Sequence, residues 1–152
     1  MTARDLDKPK QGWQPTRQEL SEFLRGQITC TISTVDPAGK PCGATVAFSE
    51  TRTGEFIIGT KQSSQKARNL ATNPNVALTI VNEDKRYTVQ LQGVAQPLTP
   101  EAFEPLSESH YEKLPFLRAL KDDPEQIHFL ITPSFLRFSD CSVYPWVLTE
   151  YS

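Results

Sequence analysis

Cysteine, histidine and methionine are scarce: the 152 residues hold three, two and one of them. Cys30, Cys42 and Cys141 are odd in number and none stands in a C-x-x-C spacing, which argues against a disulfide scaffold or a thiolate zinc site and for reduced thiols. His110 and His128 are far apart in sequence, with no clustered carboxylate to complete a metal site. Charge of one sign is lacking too. Sixteen basic residues against eighteen acidic leave a net charge of -2, without a long basic run, so nucleic acid is not an expected partner. No stretch is long and apolar enough to span a bilayer, and Met1 to Lys10 lacks the apolar core of a secretory leader; the expectation is a cytoplasmic protein that avoids membranes. There is no G-x-S-x-G and no paired-carboxylate motif, which excludes the common hydrolase classes and leaves catalytic residues unassigned.

What is present fits one domain, expected over 15–152 behind a mobile arm, 1–14, that has Pro9, Gly12 and no apolar periodicity. Thr16 and Glu19 have capping-box spacing, and Leu20, Phe23 and Leu24 recur at helical intervals, so a helix to about Gly26 is expected to close one end of a barrel. Alternation over Ile28–Val35, the turn Asp36–Gly39, the apolar residues Ala44, Val46 and Phe48, a turn at Thr51–Gly54 and a strand Glu55–Thr60 predict a three-stranded meander. A short helix from Ser64 stops before Asn73-Pro74, and strands follow at Val76–Val81 and from Tyr87. The latter strand is apolar at Tyr87, Val89 and Leu91 and polar at Thr88, Gln90 and Gln92, a second face suited to a ligand or a subunit contact. Thr99-Pro100 opens one or two helices interrupted near Leu114-Pro115, and two closing strands are expected on either side of Pro133. The tail Cys141–Ser152 is apolar for a terminus and is expected to dock. Tyr87, Tyr144 and Trp146 are candidates for pocket walls or for core. Runs of strands with few helices predict a mainly β chain, a six- to seven-stranded antiparallel split β-barrel with accessory helices.

The most informative stretch runs from Gly59 to Leu70. A strand ends in Gly59-Thr60, a hydroxyl-rich turn follows, and a helix opens at Ser64-Gln65-Lys66. The first amides of a helix lack intrahelical acceptors and lie at the positive end of its dipole, so they suit a phosphate. Lys66 in that first turn is unfavourable to the helix unless an anion neutralises it. The same residues also suit a plain N-cap with a solvated lysine. Arg68, two positions on, points to a different side.

Thr60, Ser64, Lys66, Asn73-Pro74 and Gly93, in this order on strand, helix and strand, resemble the pyridoxamine 5'-phosphate oxidase-like, FMN-binding split-barrel family over about Ile28 to Leu98. The resemblance implies a homodimer that binds FMN at the subunit interface. The phosphate would be held by the side chains of Thr60, Ser64 and Lys66, the backbone of Val46, Ala47 and Phe48 would run beside the isoalloxazine, Thr88 would contact the flavin, and Gly59 and Gln65 would complete the cofactor-binding set. Hydride chemistry would come from the flavin and act on a small molecule. The chain departs from the oxidase itself. Ala44 and Thr88 stand where it has arginine and glutamine, and Cys141–Ser152 has no match to its terminal arginine-leucine motif, so a true pyridoxamine phosphate oxidase is not expected. Ser-Gln-Lys-Ala at 64–67 also resembles users of deazaflavin F420, and other split barrels bind haem; both stay as alternatives, as does a non-catalytic stress-response module.

Overall fold

The computed structural model describes residues 11–152, so most of the expected arm lies outside the described residues. α1 (Arg17–Arg25) opens with the predicted reciprocal cap: the Thr16 hydroxyl accepts the Glu19 amide, and the Glu19 carboxylate accepts the Thr16 amide. Leu20 and Leu24, one turn apart, share a face that plugs the barrel, and burying each stabilises the fold by about 1.5–3 kcal/mol before entropy. The chain is held earlier than the sequence suggested. The Trp13 amide donates to Asp140 Oδ2 at 2.7 Å, and its ring packs with Phe23, Tyr87 and Phe138. A single large ring can anchor a segment that shows no apolar period.

β1 (Thr29–Val35), β2 (Pro41–Glu50) and β3 (Phe56–Lys61) form the expected meander, followed by α2 (Gln65–Thr72), β4 (Asn75–Asn82), β5 (Tyr87–Leu98), α3 (Pro100–Lys113), a 3-10 turn at Pro115–Leu120, β6 (Gln126–Asp140) and β7 (Val147–Tyr151). Gly39 and Gly54 take φ of 80° and 92° in the two hairpin turns, a region that costs side-chain-bearing residues strain. The strands run in the order β3-β2-β1-β4-β5-β6-β7, and pairing of β3 with β6 closes six of them into an antiparallel barrel with β7 added outside. Inward residues such as Ile32, Phe48, Ile58, Leu78, Ile80, Leu91 and Ile131 are fully buried and fill it. A second, small cluster of Ile57, Phe103 and Tyr111 fixes α3 to the outside.

Two expectations need correction. The closing strands around Pro133 are one 15-residue strand, β6. Pro133 pairs with Gly93 beside a register shift, and a Cβ on Gly93 would lie 2.4 Å from the Thr132 carbonyl oxygen, so the missing side chain lets the strand bend without ending. The tail docks through β7 and through Tyr151, whose hydroxyl donates to the Pro15 carbonyl, but Trp146 is 63 % exposed and Tyr144 92 % exposed. Neither is a pocket wall here, whereas Tyr87 belongs to the aromatic cluster.

Candidate functional site

Thr60 ends β3 and Ser64 caps α2, and the turn between them brings their hydroxyls together. Thr60 Oγ1 donates to Ser64 Oγ at 3.0 Å, and the Ala67 amide donates to the same oxygen at 3.2 Å. Ser64 thus accepts twice, and its own hydroxyl proton remains free to donate outward. The one proton of Thr60 is already used on Ser64, which makes Thr60 an orienting group in this arrangement. Among the described residues the amides of Gln65 and Lys66 meet no acceptor, and no acidic side chain lies in the first turn of α2. Lys66 is half-buried and forms no ion pair among the described residues. The Arg68 guanidinium turns back to the Ser63 carbonyl.

α2 is fixed to the barrel by a pair that the sequence reading missed. Asn69 Nδ2 donates to Thr34 Oγ1 at 3.0 Å, and both residues are buried. The available signal was a polar residue between Ala67 and Leu70 on the apolar side of a short helix. A buried amide of this kind needs its partner, so the pair sets where the helix starts. At the helix entrance, Gln65 Nε2 reaches Cys42 Sγ at 3.4 Å, joining α2 to the beginning of β2.

β3 pairs with β2 only at Phe48, Ser49 and Glu50, so the β3-side edge of Pro41–Ala47 has no strand partner. The barrel is split there, beside α2. Val46 packs toward the core and Ala47 alternates with it, while the Phe48 ring is fully buried, so at Phe48 only backbone can face a ligand. Gly59 pairs with His128, and a Cβ on it would lie 3.2 Å from that ring, so the space beside Gly59 is filled by the protein. Thr88 does not join the group. It pairs with Val81 on β4, and β1 lies between β4 and β2, which puts it three strands, roughly 14 Å, from Ala47.

Elsewhere, the Ser49 hydroxyl lies 2.6 Å from Nδ1 of the fully buried His110, whose Nε2 has no partner among the described residues. His128 stacks face to face on Phe103 at 3.7 Å. Burial pushes both imidazoles down to about 4, His110 further aided by His128 and Lys113, so both are neutral at pH 7. Cys30 is pushed up to about 12 by burial and stays a thiol. No group of three or more metal-ligating side chains occurs among the described residues.

These features define a split β-barrel with an array of donors at the start of α2. The family described as pyridoxamine 5'-phosphate oxidase matches residues 16–134. The chain belongs to that family. It is 33 % identical over 85 residues to a pyridoxine/pyridoxamine 5'-phosphate oxidase of Bacteroides thetaiotaomicron, a match covering 56 % of this chain and 38 % of that relative. The matched stretch is therefore well under half of such relatives' length. Among solved structures it is similar to a heme binding protein from Mycobacterium smegmatis, with TM-score 0.76, 17 % identity and coverage of 92 % of this chain and 59 % of that one. It is also similar to a pyridoxamine 5'-phosphate oxidase-related, FMN binding protein from Nostoc punctiforme, with TM-score 0.66, 14 % identity and coverage of 93 % and 100 %. At these identities the two structures establish the fold alone.

Proposed function

We propose that residues 15–152 form one flavin-binding domain, which pairs as a cytoplasmic homodimer, holds FMN at the subunit interface and serves an oxidoreductase acting on a small molecule. The observation that carries this is the donor array at α2. A hydroxyl proton on Ser64, the amides of Gln65 and Lys66, which meet no acceptor among the described residues, and the Lys66 side chain stand together in a first helical turn that holds no acidic residue, which is the chemistry that a terminal phosphate needs. Thr60 would hold Ser64 in its rotamer, and the unpaired edge at Val46–Ala47 would lie beside the flavin ring, with Phe48 and Gly59 offering backbone only. FMN, when bound, supplies the hydride or electron transfer; the protein binds, orients and shields it.

The same geometry supports the dimer. Register aligns Thr45, Thr31, Thr79 and Gln90 in one row across β2, β1, β4 and β5, a broad outer face of small and polar side chains without a covering helix. Thr88 lies on that face but away from α2, so it could complete a flavin site only from a second protomer. Ala44 and Thr88, where the oxidase has arginine and glutamine, favour a substrate other than pyridoxamine phosphate. Haem is served less well by histidine ligation, since His110 is fully buried and His128 is stacked on Phe103.

Adding FMN to the purified protein and recording its absorbance, with light scattering in parallel, tests the reading. Bound flavin bands on a species of twice the chain mass support it. A Soret band, binding of F420 in place of FMN, or a monomer with no cofactor response would overturn it.

A further inference from the structure

A cavity lies at the Phe56 end of β3, away from the Lys61 end that leads into α2. It is a half-open cleft of about 700 Å³ between α1, the β2–β3 turn and α3, and none of Val46, Ala47, Thr60, Ser64, Lys66 or Thr88 lines it. That volume suits a small organic molecule. Leu20, Leu24 and Phe56, each no more than 5 % exposed and part of the barrel core, lie under its floor. Arg17, Arg25 and Arg52 face it against the exposed carboxylate of Glu112, and Arg17 is occupied by the Ser152 carbonyl and the Tyr151 ring. Arg25 and Arg52 are exposed and form no ion pair among the described residues.

Deeper in, Lys113 Nζ donates to Glu50 Oε2 at 2.6 Å and to the Leu24 carbonyl at 3.1 Å, and sits 3.9 Å from the centre of the Phe48 ring. Its charge is met inside the protein. Glu50 also lines the cavity, yet its Oε1 is buried without a hydrogen-bond partner among the described residues. A buried acceptor left unmade costs stability, and a donor that reached Oε1 from the cavity would relieve that cost while Oε2 stays on Lys113. Burial raises the Glu50 carboxyl and lowers the Lys113 ammonium, as for an ion pair short of polar neighbours.

We propose that this cavity is a ligand site, separate from the flavin site, for an amphipathic organic anion that carries a hydrogen-bond donor. The donor would reach Glu50 Oε1, the apolar body would lie on Leu20, Leu24 and Phe56, and the anionic end would meet Arg25 and Arg52. The cavity's chemistry identifies the class of ligand, and the proposal stands whether or not FMN is the cofactor.

The probe is 1-anilinonaphthalene-8-sulfonate, which joins a sulfonate, aromatic rings and an anilino N–H. Titrated into the folded protein, with and without saturating FMN, it should bind saturably at one site per chain and raise the melting temperature. Arg25→Ala with Arg52→Ala removes two exposed guanidiniums without touching the core, and should weaken the probe at least tenfold while leaving FMN affinity unchanged. Amide shifts in labelled protein should centre on α1, the β2–β3 turn and Lys113. No saturable binding, displacement by FMN, unchanged affinity in the double variant, or shifts centred on α2 would each overturn the proposal.

Discussion

Replacing Ser64 by alanine removes one oxygen with three tasks, and each has its own readout. The cap on the Ala67 amide is lost, which costs about 1 kcal/mol. Thr60, only 9 % exposed, loses the acceptor for its hydroxyl, and leaving such a group unmade adds about 1 kcal/mol or more. The apo protein should therefore lose about 2 kcal/mol, or roughly 4–8 °C in melting temperature for a chain of this size. A free hydroxyl donor to phosphate is lost as well; a hydrogen bond to a charged group contributes about 1.5–3 kcal/mol, so FMN should bind roughly tenfold to a hundredfold more weakly. Thr60→Val is the comparison. It removes the donor that orients Ser64 but leaves the Ser64 proton in place, so its effect on FMN should stay under about tenfold. Thermal melts without cofactor and quenching of flavin fluorescence give the two numbers. If Thr60→Val costs more FMN affinity than Ser64→Ala, the division of roles between these hydroxyls is wrong.

Gly93→Ala forces a Cβ to within 2.4 Å of the Thr132 carbonyl oxygen and should destabilise by about 1–3 kcal/mol or more in urea unfolding; a variant as stable as the wild type would mean that the bend in β6 does not depend on this contact. His110 and His128 have folded-state values lowered to about 4 against an ordinary 6.5, so the unfolded chain binds more protons between these limits. The stability they contribute is present above pH 6.5 and lost as pH falls toward 4, and His128→Phe should reduce that slope by about one proton, which urea titrations across the range would measure. Thr31→Glu puts a charge in the middle of the Thr45–Thr31–Thr79–Gln90 row and should yield a folded monomer with weakened FMN binding by light scattering and titration; an FMN-binding dimer in this variant contradicts the interface.

The elements were legible where one residue carried a local rule. The Thr16–Glu19 box, Ser64 as a cap, Thr99-Pro100 and the alternation of β1 and β5 each depend on neighbours in sequence. What escaped depends on distant partners. Pro133 looked like a break because the compensating Gly93 is forty residues earlier and on another strand. Trp13 looked like part of an arm because Phe23, Tyr87 and Phe138 meet it only in the fold, and Trp146 looked docked because hydrophobicity alone does not say that the barrel is already full. At the site, the residues of the turn and helix start were readable from type and order. The orientation of Ser64 by Thr60, the Asn69–Thr34 lock and the buried Glu50–Lys113 pair were not, since each joins side chains from different elements.

Paired titration of FMN and riboflavin into the wild type and Lys66→Ala decides whether the phosphate lies at the start of α2. The two ligands differ only in the phosphate, and Lys66 stands in a helix turn that has no anionic side chain to meet it. The variant should lose roughly tenfold to a hundredfold in FMN affinity, matching a charge-assisted hydrogen bond of about 1.5–3 kcal/mol, with riboflavin little changed and the apo fold as stable as before. FMN binding equal to the wild type, or an equal loss for riboflavin, would show that the phosphate does not lie at the start of α2.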